Sequence, residues 1–254
     1  MKEKATVYNF FLRLLIIIVL VGLWWLVSIL LVDDLLPNPI VVFSESIRIL
    51  FSSEFLSNLI ITLGRIGSGL LISMLLAMVF GWLFYKNSFM RMVVETNMFL
   101  GLTIPSTVVT FIIIILFGTK QLALIAVIVA IGTPQLLVII ISGINSMDHR
   151  LFEMFKVFQM PFPLEFRHII LPQLAPSFFA ALRTGISVSW KTSMIAETFA
   201  FSSGIGYQIY YQFMVYSLKG VLAWTISFIM VMSTIDVVIN FFEKRSLLWK
   251  NINK

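Results

Sequence analysis

The residues best suited to chemistry lie in one charged segment of an otherwise apolar chain, residues 148–172, DHRLFEMFKVFQMPFPLEFRHIILP. Leu151, Phe155 and Phe158 recur there at i, i+4 and i+7, with Phe152 and Met154 beside them. That spacing makes an apolar stripe on a short helix, which Pro161 and Pro163 terminate. Phe and Met bury large areas on few rotatable bonds, so they suit insertion into a groove on a partner. The chemistry is recognition rather than bond-making. The plainer alternative is an amphipathic helix resting on the membrane surface.

A second group comprises Arg65, Arg183, Lys191, Glu197 and Asp236, all set in apolar surroundings. An ionisable group at membrane depth is costly unless paired or wet, so each is a candidate for function. Arg183 and Asp236 read as snorkelling to the interface. Arg65 and Glu197 stay open between a place on a translocation path and structural pairing. Lys191 and Glu197 are six apart and do not share a helical face. Pro105, within Thr103-Ile104-Pro105-Ser106-Thr107, frees backbone that could line a gate or cavity wall. Pro134 reads as an irregularity that neighbouring helices tolerate.

Other chemistries are excluded or weak. The chain has no cysteine, and His149 and His168 stand without an HExxH pattern or carboxylate cluster, so no metal site is expected. Ser68 has no histidine within any span, so an intramembrane hydrolase is weakly supported and no catalytic residue is assigned. Gly204-Ile205-Gly206 lacks the strand–turn–helix context of a phosphate loop and reads as a turn. The basic residues bracket apolar runs rather than interleave with aromatics, which argues against nucleic acid.

The elements that must position these residues are membrane spans. Of 254 residues 59% are hydrophobic and 12% charged, too little charge to cover a soluble domain. The expected fold is an all-α integral membrane protein with about six transmembrane helices, forming one domain over residues 1–254. The spans are placed near 12–32, 57–84, 94–117, 121–144, 174–199 and 220–242. The first is longer than a signal-peptide core and lacks a cleavage site, so it is expected to be a retained span. Lys and Arg gather at Lys2, Lys4 and Arg13, at Lys86 and Arg91, at Arg150, Lys156 and Arg167, and at Lys244, Arg245, Lys250 and Lys254. Alternate loops are therefore basic, which places both termini in the cytoplasm of a multi-pass protein. Between spans one and two, Val42, Phe43, Ile47 and Leu50 suggest a short amphipathic helix on the outer face of the bilayer.

Glu153, Gln159, Ile169, Leu171 and Pro172 fit the frame E-x-x-x-x-x-G-x(9)-I-x-L-P, with Gln at the Gly position. This resembles the cytoplasmic "EAA" loop of permease subunits of bacterial ATP-binding-cassette importers. LPNPIVVFSESIRIL, TLGRIGSGLL, LTIPSTVVTFIIIILFG and SWKTSMIAETFAFSSGIGYQI resemble further stretches of that family, in order, over most of residues 35–210. They are similar to the branch that handles sulfonates, taurine, nitrate and thiamine-precursor-like compounds. The family's Ala-Ala is Met154-Phe155 here, and its Gly is Gln159. Either Pro161 and Pro163 make the turn after the helix, or the docking geometry differs.

The resemblance implies a type I importer permease in the bacterial cytoplasmic (inner) membrane. Residues Leu151, Phe152, Glu153, Phe155, Phe158 and Gln159 would form a coupling helix docked on an ATPase, followed by a loop with Ile169, Leu171 and Pro172. Arg65, Pro105 and Glu197 would border the translocation path. The implied partners are two ATPase subunits, a second permease copy or paralogue, an extracytoplasmic binding protein and the lipid bilayer. The chain contains no G-x-x-x-x-G-K-[ST], so ATP and Mg²⁺ are expected on the partner ATPase and no cofactor on this chain. The alternatives are an ion-coupled secondary transporter, which would want midplane carboxylates, and a non-transporting assembly subunit.

Overall fold

The computed structural model describes residues 2–30, 36–85, 87–159 and 161–246. Among them the chain is helical throughout: α1 (Lys2–Leu30), α2 (Pro39–Leu50), α3 (Ser53–Phe84), α4 (Ser88–Thr103), α5 (Ser106–Phe117), α6 (Gln121–Asn145), α7 (His149–Val157), α8 (Phe162–Glu165), α9 (Leu171–Ala200), α10 (Ile205–Met214) and α11 (Leu218–Ser246). The chain divides into two compact units. One holds residues 1–57 and 208–231, the other 58–207 and 232–254.

Four helical stretches are long and apolar enough to cross a bilayer: Ser53–Phe84, Gln121–Asn145, Pro163–Ala200 and Leu218–Glu243. They coincide with the second, fourth, fifth and sixth expected spans. The third, expected as one helix over 94–117, is instead two, α4 and α5, bent by 101° at Ile104-Pro105. Proline removes an amide donor and forces the preceding residue out of the α region, and Ile104 accordingly sits at ψ 127°. The expected first span is represented by the apolar helix Leu15–Leu30, while its end falls in 31–35, outside the described residues.

In the larger unit α6 is the central helix. Leu136, Leu137, Ile140 and Ile141 of α6 pack with Leu70, Met74 and Ala77 of α3, Val94 of α4 and Ala181 of α9. Further along, Leu124, Val127, Ile128 and Ile131 meet Ala196 of α9, with Val109 and Ile113 of α5 alongside. Pro134 lies buried inside α6 without ending it. A Cβ added to Gly101 of α4 would stand 2.2 Å from its ring, so the absence of a side chain there lets the two helices close around the proline.

The smaller unit builds α2 from local signals. Asn38 caps it through Oδ1, which accepts from the Ile40 amide at 2.9 Å, and Pro39 fills the first helical position. The buried side of α2 is Val42, Ser46 and Ile49; of the other residues in the expected apolar stripe, Leu50 is half-buried and Phe43 and Ile47 are exposed. Ser46 supplies a carbonyl to the Ser227 hydroxyl at 2.9 Å, and Phe55 meets Trp224 with ring centroids 5.7 Å apart. The α10–α11 turn closes as a Schellman motif, with Tyr216 at φ 57° and the Ser217 amide donating to the Gln212 carbonyl at 2.9 Å.

The Gly101–Pro134 contact gives a direct test of this packing. Gly101→Ala lowers stability by about 1–3 kcal/mol through overpacking, read as a drop in melting temperature of the detergent-solubilised protein. Gly64→Ala, where a Cβ meets nothing within 4 Å, leaves the melting temperature unchanged or slightly raised.

Candidate functional site

The charged segment forms a helix as its periodicity implies. Asp148 caps α7, its Oδ1 accepting from the Arg150 amide at 2.9 Å. The Asp148 amide in turn donates to Gln173 Oε1 at 2.7 Å, tying the start of α7 to the start of α9. Leu151, Glu153, Met154 and Phe158 are exposed, Phe158 by 66%. The side chains of Phe152 and Phe155 lie outside the described residues.

Gln159 answers the question its substitution raises. Its φ is 51°, so it adopts the left-handed conformation that a glycine takes without strain. The turn after α7 is therefore kept at Gln159 itself, and the prolines act one step later, with Pro161 and Pro163 bracketing the first turn of α8. Ile169, Leu171 and Pro172, expected in a loop, are helical instead. A π-helical turn, Phe166–Ile170, joins α8 to α9, making Pro163–Ala200 one continuous rod. Pro172 cannot donate to residue 168, and the wider π turn falls just before it, as such bulges do near helix-interior prolines. Ile169 is buried, Leu171 exposed and Pro172 half-buried.

Arg65 and Glu197, 132 positions apart, form a buried pair: Arg65 Nη1 lies 2.8 Å from Glu197 Oε1, and the side chains are 2% and 0% exposed. Every polar edge around them is occupied. Arg65 also donates to the Ser203 carbonyl at 2.9 Å, to Ser203 Oγ at 3.1 Å and to Gln121 Oε1 at 3.2 and 3.1 Å. Glu197 accepts from the Thr62 hydroxyl at 3.0 Å, from Ser193 at 3.3 Å and from the Gly206 amide at 2.9 Å. Thr62 itself accepts from the Ile205 amide at 2.9 Å, and Asn58 from the Gly204 amide at 2.7 Å. The Phe201 ring sits 4.9 Å from the guanidinium carbon.

This arrangement draws α3, α6, α9 and the loop 201–204 onto the first amides of α10, where a carboxylate complements the helix dipole. Gly204, at φ 106°, leaves no room for a Cβ, which would stand 2.5 Å from the Glu197 carboxylate. The Gly-Ile-Gly motif is thus a carboxylate-capped turn. Asn58, Thr62, Gln121 and Ser203 were not singled out by sequence; Thr62 and Asn58 lie three and seven positions before Arg65, on one face of α3.

Arg183 and Asp236 do not act separately. Arg183 Nη2 donates to Asn240 Oδ1 and Glu243 Oε2, Arg183 Nε lies 3.7 Å from Asp236 Oδ1, and Asn240 donates to Asp236 at 3.0 Å. Lys191 is exposed, with Nζ 5.8 Å from the Trp190 ring centroid. Pro105 is exposed at the break between α4 and α5, among Thr103 and Thr107. In the smaller unit a cavity of about 330 Å³ is lined by Glu45, Arg48, Glu54, Gln212, Lys219 and Trp224, among others. Its Arg48 hydrogen-bonds Glu45 and holds that carboxyl below its ordinary range.

Long apolar helices, a proline-broken span and an exposed helix between two spans define a multi-pass transport permease. The family described as "Binding-protein-dependent transport system inner membrane component" matches residues 69–247, and this chain belongs to it. It is the translocation subunit of an ATP-binding-cassette import system in the inner membrane. It is 24% identical over 246 residues, 96% of this chain and 89% of the relative, to the putative aliphatic sulfonates transport permease protein of Bacillus subtilis. It is 26% identical over 200 residues, 78% of this chain and 77% of the relative, to the formylaminopyrimidine transport permease protein of Halalkalibacterium halodurans. A solved chain described as an amino acid ABC transporter with histidines has a TM-score of 0.64 at 21% identity, over 80% of this chain and 98% of that one. That likeness establishes the type I importer-permease fold.

Two predictions arise from this geometry. Glu197→Ala strands a buried guanidinium and lowers stability by about 3–5 kcal/mol. The Arg65→Met/Glu197→Leu double variant recovers part of that loss, because no unpaired charge remains; melting of both in nanodiscs checks the pair. Gln159→Val, β-branched at positive φ, costs about 1–2 kcal/mol, whereas Gln159→Gly is neutral or slightly stabilising. The rate of tryptic cleavage around Lys156 and Arg167 reports the difference.

Proposed function

We propose that this chain moves a small anionic or polar solute, of the sulfonate, nitrate or thiamine-precursor kind, handed over by an extracytoplasmic binding protein. Residues 1–254 serve as one permease domain, paired with a second copy or a paralogue. Both termini and α7 face the cytoplasm, and α7 docks in a cleft of a separate ATPase, which carries ATP and Mg²⁺. Two ATPase subunits closing on nucleotide would draw two such helices together and switch the membrane halves between inward- and outward-open. The names of the sulfonate and formylaminopyrimidine permease relatives support the solute class.

The observation that carries this reading is α7. A nine-residue helix is held by a capping aspartate and by Gln173, ends in a left-handed turn at Gln159, and leaves Leu151, Met154 and Phe158 uncovered. Rigid placement of an exposed apolar stripe lowers the ordering cost of docking. A helix that only rested on lipid would gain nothing from a fixed exit turn.

Copurification in mild detergent tests the reading. A P-loop ATPase is expected with the native chain and is lost from a Glu153→Arg/Phe158→Asp variant that elutes and melts normally. An ATPase retained equally by both would show that α7 is not the docking element.

A further inference from the structure

The cations within the fifth span are treated unequally. Arg183 is neutralised by Asp236 and Glu243. Lys191, among the described residues, has no carboxylate within ion-pair distance, only the Trp190 ring at 5.8 Å. It lies on an exposed part of α9, nine residues before the helix ends at Ala200. At ~1.5 Å per residue that is about 13 Å below the helix end, too deep for a four-carbon stem to reach the outer interface. An unneutralised ammonium facing hydrocarbon at that depth is strongly disfavoured.

The surrounding face points the same way. Ala181, Gly185, Ser189, Thr192 and Ala196 are buried on one side of α9. Arg183, Ser187 and Lys191 recur at i, i+4 and i+8 on the opposite side. Trp190 and Met194 share that side, so the polar groups form a narrow row along it. Backbone freed at the exposed Ile104-Pro105 break in the neighbouring span also demands a wet or protein-lined cavity.

We propose that the Ser187–Lys191 face of α9 lines an aqueous path and that Lys191 is a selectivity residue for small strong anions, the sulfonate and nitrate class. This deepens the permease reading above and rests on it for the solute class. The Lys191 ammonium supplies a compact point charge, and the Ser187 hydroxyl, one turn below, supplies a hydrogen-bond donor. A passing anion would exchange water for these two groups and leave readily, because a single uncompensated charge holds it only weakly. Arg183, already satisfied by two carboxylates, leaves the next turn without a net positive charge and so does not trap the anion.

The chain has no cysteine, so Ser187→Cys creates its sole thiol. It is labelled in nanodiscs, with whatever ATPase copurifies, by the anionic sulfonatoethyl and the cationic trimethylammonioethyl methanethiosulfonate. Both reagents are expected to react, and after each rate is divided by its rate with free 2-mercaptoethanol the anionic one is favoured about tenfold, as expected for a unit charge about 6 Å away in a wet site. Lys191→Gln should erase that preference, and Lys191→Arg should retain it. Absence of labelling, a preference unchanged by Lys191→Gln, or a preference for the cationic reagent each overturns the proposal. The outcome is independent of docking: an ATPase that binds a chain inert at Ser187→Cys sinks the path assignment alone, whereas charge-selective labelling without an ATPase sinks the importer mechanism alone.

Discussion

A polar group removed from water must find a partner inside the protein, and this constraint organises the structure around Arg65 and Glu197. Two charges withdrawn into a low-dielectric interior each carry a desolvation penalty of several kcal/mol, which their mutual attraction offsets only when the remaining lone pairs and protons are also bonded. Here they are: Thr62, Ser193, Gln121, Ser203 and the Gly206 amide complete both groups. The pair therefore adds little net stability against a well-packed apolar replacement, yet it leaves one arrangement of α3, α6, α9 and the 201–206 turn far below any other. Shifting α9 along α3 by one turn would orphan a guanidinium, a carboxylate and two helix-initiating amides together.

The same constraint explains what could be read from sequence. Span positions were legible because apolar runs bounded by charge are a one-dimensional signal. The α7 segment was legible because Leu151, Phe155 and Phe158 carry a helical period within eight residues. Pairing was not: Arg65 and Glu197 each stood out as charges in apolar surroundings, but nothing local joins positions 132 apart, and the neutral members of the network look ordinary for a membrane helix. Pro105 announced a break without its angle, which the packing of α4 and α5 on α6 sets. The α2 helix was legible from its apolar spacing, but a helix with apolar residues on two sides does not say which of them its own protein covers. Ser46, buried there, satisfies its hydroxyl on the Val42 carbonyl at 2.8 Å.

Gln159 and Pro172 show local propensity yielding to context. A glutamine in the left-handed region is disfavoured by about 1–2 kcal/mol, and a proline after a helical segment more often ends it than continues it. The turn nevertheless stands at Gln159, and the helix runs through Pro172 by widening to a π turn. Departures of this kind are expected where function fixes geometry more tightly than sequence does. Both occur here just C-terminal to the segment proposed to meet the ATPase.

That coincidence bears on how force could travel through the larger unit. Pro163–Ala200 is one helical stretch of 38 residues, about 57 Å long at 1.5 Å per residue. One part of it is linked to α7 through Gln173, and its C-terminal end carries Glu197. A helix resists bending far better than a loop resists rearrangement, so displacement at α7 would move α9 largely as a rod, with flexure at the π turn. At the far end the rod cannot slide freely, because Glu197 holds the first amides of α10 and the Arg65 guanidinium. Motion begun at α7 would then appear as a rotation of α9 about its Glu197 anchor, with the widest arc at the Pro163 end and only a small displacement of the Ser187–Lys191 face, six to ten residues from the pivot. An anchor of saturated hydrogen bonds near one end and the Asp148–Gln173 bond tying α7 to the other half are what such a lever requires.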